Sequence, residues 1–310
     1  MDEACVRLER TLGAVLLGKP HVIRLAMAGL LAQGHLLLED VPGVGKTLLA
    51  HALAKAVDAT FSRIQFTPDL LPGDILGTAV YNQKTSEFEF RPGPIFAHVV
   101  LADEINRTTP RTQSALLEAM NTATVSLDGV TRPLPRPFLV LATQNPFEFE
   151  GTYPLPESQL DRFLMRIDIG YPSREDEKRM LIQQQVVDPL DAVKAVVTAA
   201  EILGLQGRVR RLRIEDSVRD YLLSIVAATR DSRRLRLGAS PRASGALQRA
   251  AQAYAFLDGR DFVLPDDIKR LLGPVLAHRI LPEGASAGET SFRDRERLLE
   301  EIVEGIEVPL

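Results

Sequence analysis

Residues 36–47 read Leu-Leu-Leu-Glu-Asp-Val-Pro-Gly-Val-Gly-Lys-Thr, an apolar run that meets a glycine-rich turn. A short apolar run bounded by turn residues predicts a strand that is buried on both faces. The Ala- and Leu-rich segment 47–57 then predicts a helix. A strand, a glycine-rich loop and a helix in this order are typical of a phosphate-binding loop. Its glycines let backbone N–H groups turn toward an anion, and the helix N-terminus adds positive potential.

Two side chains of this loop carry predicted roles. We expect Lys46 to neutralise the β- and γ-phosphates of a nucleotide and Thr47 to ligate Mg²⁺. Asp40 stands where the strict motif has glycine; because aspartate tolerates unusual φ angles, we expect the loop to form regardless. The predicted nucleotide contacts are Pro42, Gly43, Val44, Gly45, Lys46, Thr47 and Leu48.

Acidic and amide side chains follow two further apolar runs. Segment 99–102 ends in Asp103 and Glu104, which places two carboxylates at the sheet edge where α/β folds bind ligands. We expect Asp103 to hold Mg²⁺ and Glu104 to act as the general base for an attacking water. Asn145, after segment 138–142, is predicted to orient that water or contact the γ-phosphate. The plainer alternatives are a helix cap for the acids and a turn at Asn145 before Pro146.

The apolar runs define two domains. Strands alternating with helices predict a parallel five-stranded sheet covered on both sides, an α/β (αβα) core. Two segments look like β-hairpin insertions, and after residue 188 the pattern predicts only helices. We therefore expect a core at 1–188 and an all-α lid domain at 189–310. The five runs are 36–38, 61–66, 99–102, 138–142 and 164–169, and the hairpins are 79–91 and 124–132.

Composition excludes several classes of protein. The 310 residues carry a net charge of −4 and a single cysteine, Cys5, so no intramolecular disulfide or cysteine metal cluster can form. The first twelve residues lack the apolar stretch of a signal peptide, and we expect no membrane insertion and a cytoplasmic location. The acidic pI near 5.8 and the absence of tryptophan disfavour nucleic acid as a partner.

Several linked motifs resemble the MoxR branch of the AAA+ ATPases, over nearly the whole chain. They are Val41–Thr47, Leu101–Arg107, Ala142–Pro146 and Leu160–Phe163, with Arg91–Pro94 and Ala115–Met120 in addition. The resemblance implies an AAA+ P-loop core that binds ATP and Mg²⁺, followed by a helical lid. It also implies a homo-oligomeric ring, usually a hexamer, with the ATP site between neighbouring subunits. The two hairpins then correspond to the helix-2 and pre-sensor-1 insertions of that clade.

The same resemblance suggests roles for two arginines. Arg162 resembles the arginine finger that reaches the γ-phosphate of a neighbour, where a guanidinium offsets developing charge. Pairing of Arg162 with Asp161 or Glu157 is the structural alternative. Arg166 is a rival finger, although its alternation with apolar neighbours indicates a strand position.

The second arginine, Arg242, resembles sensor 2. At the start of a lid helix, we expect it to contact the γ-phosphate of its own chain and to couple the lid angle to the nucleotide. A solvated arginine in the first turn is the alternative. By family analogy, Val22 and Ile23 are expected to contact adenine.

The leading functional hypothesis is an ATP-driven molecular machine with a chaperone-like role. It would remodel or activate a client or partner protein, often one with a von Willebrand factor A domain. A DNA-acting motor subunit, a chelatase-type subunit and a non-enzymatic nucleotide-binding scaffold are the alternatives. Glu104 and Arg162 argue against the scaffold, and the acidic pI argues against the DNA motor.

Overall fold

The structure, a computed structural model, describes residues 1–144, 151–185, 188–284 and 291–309. Its centre is a five-stranded sheet in the order β2-β5-β8-β1-β9, with every neighbouring pair parallel. The predicted parallel five-stranded core is therefore confirmed. The strands are β1 (Leu36–Glu39), β2 (Phe61–Gln65), β5 (Val99–Asp103), β8 (Leu139–Gln144) and β9 (Met165–Ile167).

Both faces of the sheet are buried, as the continuous apolar runs predict. Because side chains alternate along a strand, Leu36 and Leu38 belong to one apolar cluster and Leu37 to the other. The first cluster includes α1, α2, α3 and the lid helices, and the second includes α5. The helices of the first half are α1 (Glu3–Val15), α2 (Pro20–Leu31), α3 (Lys46–Ala56), α4 (Pro72–Leu76), α5 (Pro110–Thr122), α6 (Glu157–Leu160) and α7 (Arg174–Gln184).

The two predicted insertions are β-hairpins. The first pairs β3 (Gly77–Asn82) with β4 (Glu87–Pro92), and the second pairs β6 (Thr124–Leu127) with β7 (Val130–Pro133). The second turns at Asp128 and Gly129, both at positive φ, which is the backbone that a two-residue hairpin turn requires.

A cation–π contact joins the two hairpins. The guanidinium of Arg132 in the second lies 3.9 Å from the ring centroid of Phe90 in the first. The two insertions therefore touch, although each stands outside the five-stranded sheet.

The second half of the chain is helical, with one addition. Leu235–Leu237 (β10) and Leu281–Pro282 (β11) form a short antiparallel pair that the sequence pattern does not show. Its helices are α8 (Ala199–Arg210), α9 (Asp216–Asp231), α10 (Pro241–Leu257), α11 (Pro265–Leu276) and α12 (Phe292–Val303). Helices α8 and α10 pack against α2, so the lid and the N-terminal helices share one apolar cluster. The division at residue 188 stays a prediction.

Within the described ranges, no helix has the length and apolar character needed to cross a membrane.

Candidate active site

The phosphate-binding loop lies between β1 and α3, as predicted. Gly43 and Gly45 have φ angles of 85° and 103°, in the region that L-residues with a side chain rarely adopt. Helix α3 begins at Lys46, whose Nζ donates to the main-chain oxygen of Asp40 at 2.5 Å. Burial lowers the pKa of Lys46, while the charges of Asp40, Asp103 and Glu104 act in the opposite direction. The ammonium therefore lies among carboxylates at the carboxyl edge of the sheet.

Asp40 supports the loop for a reason that differs from the predicted one. Its backbone stays outside the left-handed region, so its tolerance of unusual φ is not used. Instead, Oδ1 accepts a hydrogen bond from Val41 N at 2.7 Å. Oδ2 accepts from Ile169 N at 2.7 Å and from Gly170 N at 2.6 Å. The carboxylate thus joins the start of the loop to the chain that leaves β9.

Asp103 ends β5 and Glu104 follows it. Strand β5 lies beside β2 in the sheet, although β3 and β4 come between them in the sequence. Asp103 Oδ1 accepts from Thr143 Oγ1 at 2.6 Å, and Oδ2 accepts from Arg63 Nη2 at 2.6 Å. Glu104 has the left-handed conformation (φ 57°, ψ 50°), which is strained for a residue with a side chain. Its N–H donates to Thr143 Oγ1 at 2.8 Å, so one threonine positions both acids.

Strand β2 also restrains Glu104. Gln65 Nε2 donates to Glu104 Oε2 at 2.9 Å, and Gln65 lies opposite Asp103 in the β2–β5 register. Arg63 and Gln65 occupy alternate positions of β2 and therefore the same face. Neither residue is predicted from the sequence. The period-two spacing of Arg63 and Gln65 is visible there, but their pairing with the strand that carries Asp103 is not.

Asn145 lies outside the described residues. Strand β8, which it follows, ends at Gln144, beside the phosphate-binding loop in the sheet register Glu39–Gln144. The predicted role of Asn145 stays a prediction.

A cavity of about 690 Å³ adjoins the phosphate-binding loop. Its apolar lining suits a flat aromatic base, and the loop glycines Gly43 and Gly45 form one side. Val22 and Ile23 are buried side chains of α2 and are not among the residues that line it, and their expected contact with adenine stays a prediction. The apolar lining residues include Leu16, Leu17, Val44, Leu48, Tyr171 and Met180.

Comparisons with known proteins agree with this geometry. Residues 35–165 match the model of the ATPase family associated with various cellular activities, and residues 227–302 match the AAA lid domain. The chain is 45% identical over 287 residues to the chaperone MoxR1 of Mycobacterium tuberculosis, covering 89% of this chain and 76% of that protein. It is 51% identical over 298 residues to the protein YeaC of Bacillus subtilis, covering 96% and 92%.

The chain belongs to the MoxR family of AAA+ ATPases. A crystal structure from Cytophaga hutchinsonii, described as that of a candidate ATPase, matches with a TM-score of 0.88 at 39% identity, over 99% of this chain and 98% of that one. The AAA+ core, the helical lid and the nucleotide-binding character follow from this membership.

In this MoxR-family protein, Arg162 lies at the edge of the sheet opposite the phosphate-binding loop. It precedes β9, and the nearby Leu164 N–H donates to the oxygen of His35, the residue before β1. Arg162 Nη1 donates to Leu117 O at 3.0 Å. Asp161 instead pairs with Arg279 of the lid, which argues against the alternative pairing of Arg162 with Asp161.

The rival residue, Arg166, occupies the strand position that its sequence pattern indicates. It is buried in β9, forms an ion pair with Glu39, and lies 3.5 Å from the ring centroid of Phe292. Its burial and these two contacts within its own subunit argue against Arg166 as the group that reaches a neighbour.

Arg242 lies at the same edge as Arg162, away from the phosphate-binding loop of its own chain, and its expected contact with the γ-phosphate stays a prediction. Its Nη2 donates to Asn121 Oδ1 at 3.3 Å, and the oxygen of the adjacent Met120 accepts from His35 Nε2. The four residues of β1 alone separate this edge from the phosphate-binding loop by about 13 Å. The physical reason is that α10 packs on α2 and beside Asp161, where the strands begin.

Proposed function

We propose that this MoxR-family protein binds ATP with Mg²⁺ at the phosphate-binding loop and hydrolyses it. The observation that carries the proposal is the convergence of Lys46, Asp103 and Glu104 at one edge of the sheet. The cavity beside Gly43 and Gly45 supplies an apolar site for the base. Loop N–H groups and the Lys46 ammonium would bind the phosphates.

The donor set fits Mg²⁺, which prefers oxygen ligands. Thr47 is the second residue of α3, directly after Lys46, and the charge of Asp103 is close enough to favour the ammonium form of that lysine. Thr47 and Asp103 would hold the metal, which supplies charge neutralisation on the phosphate oxygens when bound.

In hydrolysis, Glu104 would accept the proton of the attacking water. For this role its carboxylate exchanges the hydrogen bond from Gln65 for one from water, and Asp103 exchanges Arg63 for the metal. The two β2 side chains would therefore hold the acids in a resting arrangement between turnovers.

The position of the two arginines supports a shared site. Arg162 and Arg242 both form their hydrogen bonds at the sheet edge opposite their own phosphate-binding loop. We infer a ring, hexameric as is usual in the family, in which both arginines face the γ-phosphate of the neighbouring subunit. Their common edge makes this a single interface.

The proposed outcome of hydrolysis is the remodelling of a client protein in the cytoplasm, with a von Willebrand factor A domain protein as partner. The identity of 45% to a chaperone over most of the chain favours this role over a chelatase or DNA motor. The first hairpin offers a contact site, because the rings of Tyr81 and Phe88 are exposed and their centroids lie 5.3 Å apart.

Mixing two inactive variants tests the proposal. Glu104→Gln lacks the general base, and Arg162→Ala lacks the finger; each alone should bind ATP and hydrolyse it slowly. In mixed rings, some interfaces combine an intact Glu104 with an intact Arg162, so activity should return. Wild-type turnover by a strictly monomeric preparation would contradict the shared site.

A further inference from the structure

One buried lid arginine holds the chain on both sides of Arg162. Arg279 is 4% exposed and lies directly after α11, yet its hydrogen-bond partners are mostly in the core. All five of its N–H donors are used, within the geometry that a planar guanidinium allows. Nε donates to Asp161 Oδ1, Nη2 to Asp161 O and Phe163 O, and Nη1 to Leu164 O and Val275 O.

Two more lid residues hold the same segment. Ser240 Oγ, at the start of α10, donates to Asp161 Oδ2 at 3.0 Å. His278 Nε2 donates to Phe163 O at 3.2 Å. Segment 161–164 is therefore attached to the lid from α10 and from the turn after α11, and not only to the sheet.

The side chain of Arg162 has fewer restraints than its backbone. Nη1 donates to Leu117 O, and Nε is buried without a hydrogen-bond partner among the described residues. Its direction is therefore set largely by the main chain of its two neighbours, and Arg279 binds the carbonyl oxygens of both, Asp161 and Phe163.

We infer that Arg279 is a positioning residue that fixes Arg162 in the orientation needed at the neighbouring subunit's nucleotide, and so ties that orientation to the lid. The inference rests on the proposed function, because it takes Arg162 as the group that acts in trans. Rotation of the lid would move the carbonyls on both sides of Arg162 together. A displacement of about 1 Å in a reacting constellation costs on the order of 100-fold in rate.

Arg279→Lys is the informative substitution. Lysine keeps a positive charge opposite Asp161 but has a single ammonium, which cannot bind four carbonyl oxygens and a carboxylate in the arginine geometry. We expect about a 10- to 100-fold loss in the rate of hydrolysis at saturating ATP. The affinity for a fluorescent ATP analogue should stay at the wild-type value, because the variant's own phosphate-binding loop is unchanged.

Mixing separates positioning from folding. Arg279→Lys mixed with Glu104→Gln should recover activity, because some interfaces join an intact Glu104 to an intact Arg162 and Arg279. Mixed with Arg162→Ala it should recover none, because both chains then lack a working finger. A chain that simply folds poorly would give the same activity in both mixtures.

Arg260→Lys is the matched control. Arg260 is also a multiply bonded lid arginine, but its partners Asp258, Asp267 and Phe262 all lie within the lid. Arg260→Lys should lower stability, but it should not recover hydrolysis selectively with Glu104→Gln and fail to do so with Arg162→Ala. If Arg279→Lys does not assemble, Ser240→Ala tests the same segment, because Ser240 donates to Asp161. Ser240 also caps α10, so Ser291→Ala, which removes the cap of α12, is the control for the loss of a helix cap.

The outcomes distinguish this inference from the proposed function. Rescue of Arg279→Lys by Arg162→Ala, or an unchanged rate in both Arg279→Lys and Ser240→Ala, would overturn the positioning role. Failure of the reference mixture, Arg162→Ala with Glu104→Gln, would instead overturn the shared site on which it rests.

Discussion

The side-chain amide of Gln65 donates to the carboxylate of Glu104 across two strands, over 2.9 Å. The strand register places Gln65 opposite Asp103, so the contact follows from the pairing of β2 with β5. A carboxylate that accepts this hydrogen bond has one fewer acceptor site for the proton of a water. The hydrogen bond therefore opposes general-base action for as long as it persists.

Gln65→Ala should raise the basal rate of ATP hydrolysis by a few-fold, because Glu104 no longer has to break its hydrogen bond with the Gln65 amide before it accepts a proton. Stability should change little, since the side chain is exposed. Steady-state hydrolysis without a client measures the effect, and Gln83→Ala, in the turn of the first hairpin, is the control. A fall in the basal rate would show that Gln65 orients Glu104 productively.

The sequence predicts local features of this site and misses the ones set by distant pairing. Lys46, Asp103 and Glu104 follow from strands that end in recognisable residues. Arg63 and Gln65 could not be found because nothing local indicates that β2 pairs with β5. The position of Arg242 could not be predicted for a similar reason: the start of α10 is visible in the sequence, but the sheet edge on which α10 packs is decided by tertiary contacts with α2.

Asp40→Gly should destabilise the protein, although it restores the glycine of the strict phosphate-loop motif. The substitution leaves the N–H groups of Val41, Ile169 and Gly170 without their carboxylate acceptor. The expected cost is about 1–3 kcal/mol in the free energy of unfolding. Chemical denaturation measures it, with Asp40→Asn as the milder variant because one oxygen acceptor remains. An unchanged midpoint for Asp40→Gly would contradict the role of the carboxylate.

Tyr81→Ala with Phe88→Ala should leave ATP binding unchanged and reduce stimulation of hydrolysis by a partner protein. Both rings are exposed, Phe88 to 74%, so folding does not depend on burying them. Shortening residues 82–86 to a tight turn should have the same effect. Val130→Ala, an exposed apolar residue of the second hairpin, is the control. Loss of folding in the double variant would show that the pair is structural.

The stability of the fold should decline below pH 6.5 through His35. Its Nδ1 accepts from Val140 N and its Nε2 donates to Met120 O, so the buried ring is neutral, and burial lowers its pKa from 6.5 to about 4. The unfolded chain binds a proton on His35 below pH 6.5, whereas the folded chain binds it only near pH 4. Stability from this group is therefore present above pH 6.5 and falls as the pH decreases toward 4.

When the pH falls from 7.5 to 5, protonation of His35 in the unfolded chain lowers the free energy of unfolding by about 2 kcal/mol. Denaturation at the two pH values should show a smaller difference for His35→Gln than for the wild type. His278→Gln is the companion measurement, because burial also lowers the pKa of His278. Equal pH dependence in the wild type and His35→Gln would exclude His35 as the titrating group.

Arg242 gives the sharpest test of the ring, because its two possible modes of action predict opposite results. If it acts in trans, as its contact with Asn121 at the far sheet edge indicates, then Arg242→Ala and Arg162→Ala remove groups from the same side of the interface. Arg242→Ala mixed with Glu104→Gln should then regain activity, and Arg242→Ala mixed with Arg162→Ala should not. If Arg242 acts on its own chain's nucleotide, the pattern reverses. An Arg162→Ala chain would then supply an intact Glu104 and Arg242, and its Arg242→Ala neighbour an intact finger. Steady-state hydrolysis of the two mixtures at equal total protein therefore decides which subunit receives the Arg242 guanidinium, and the reversed pattern would refute the trans assignment.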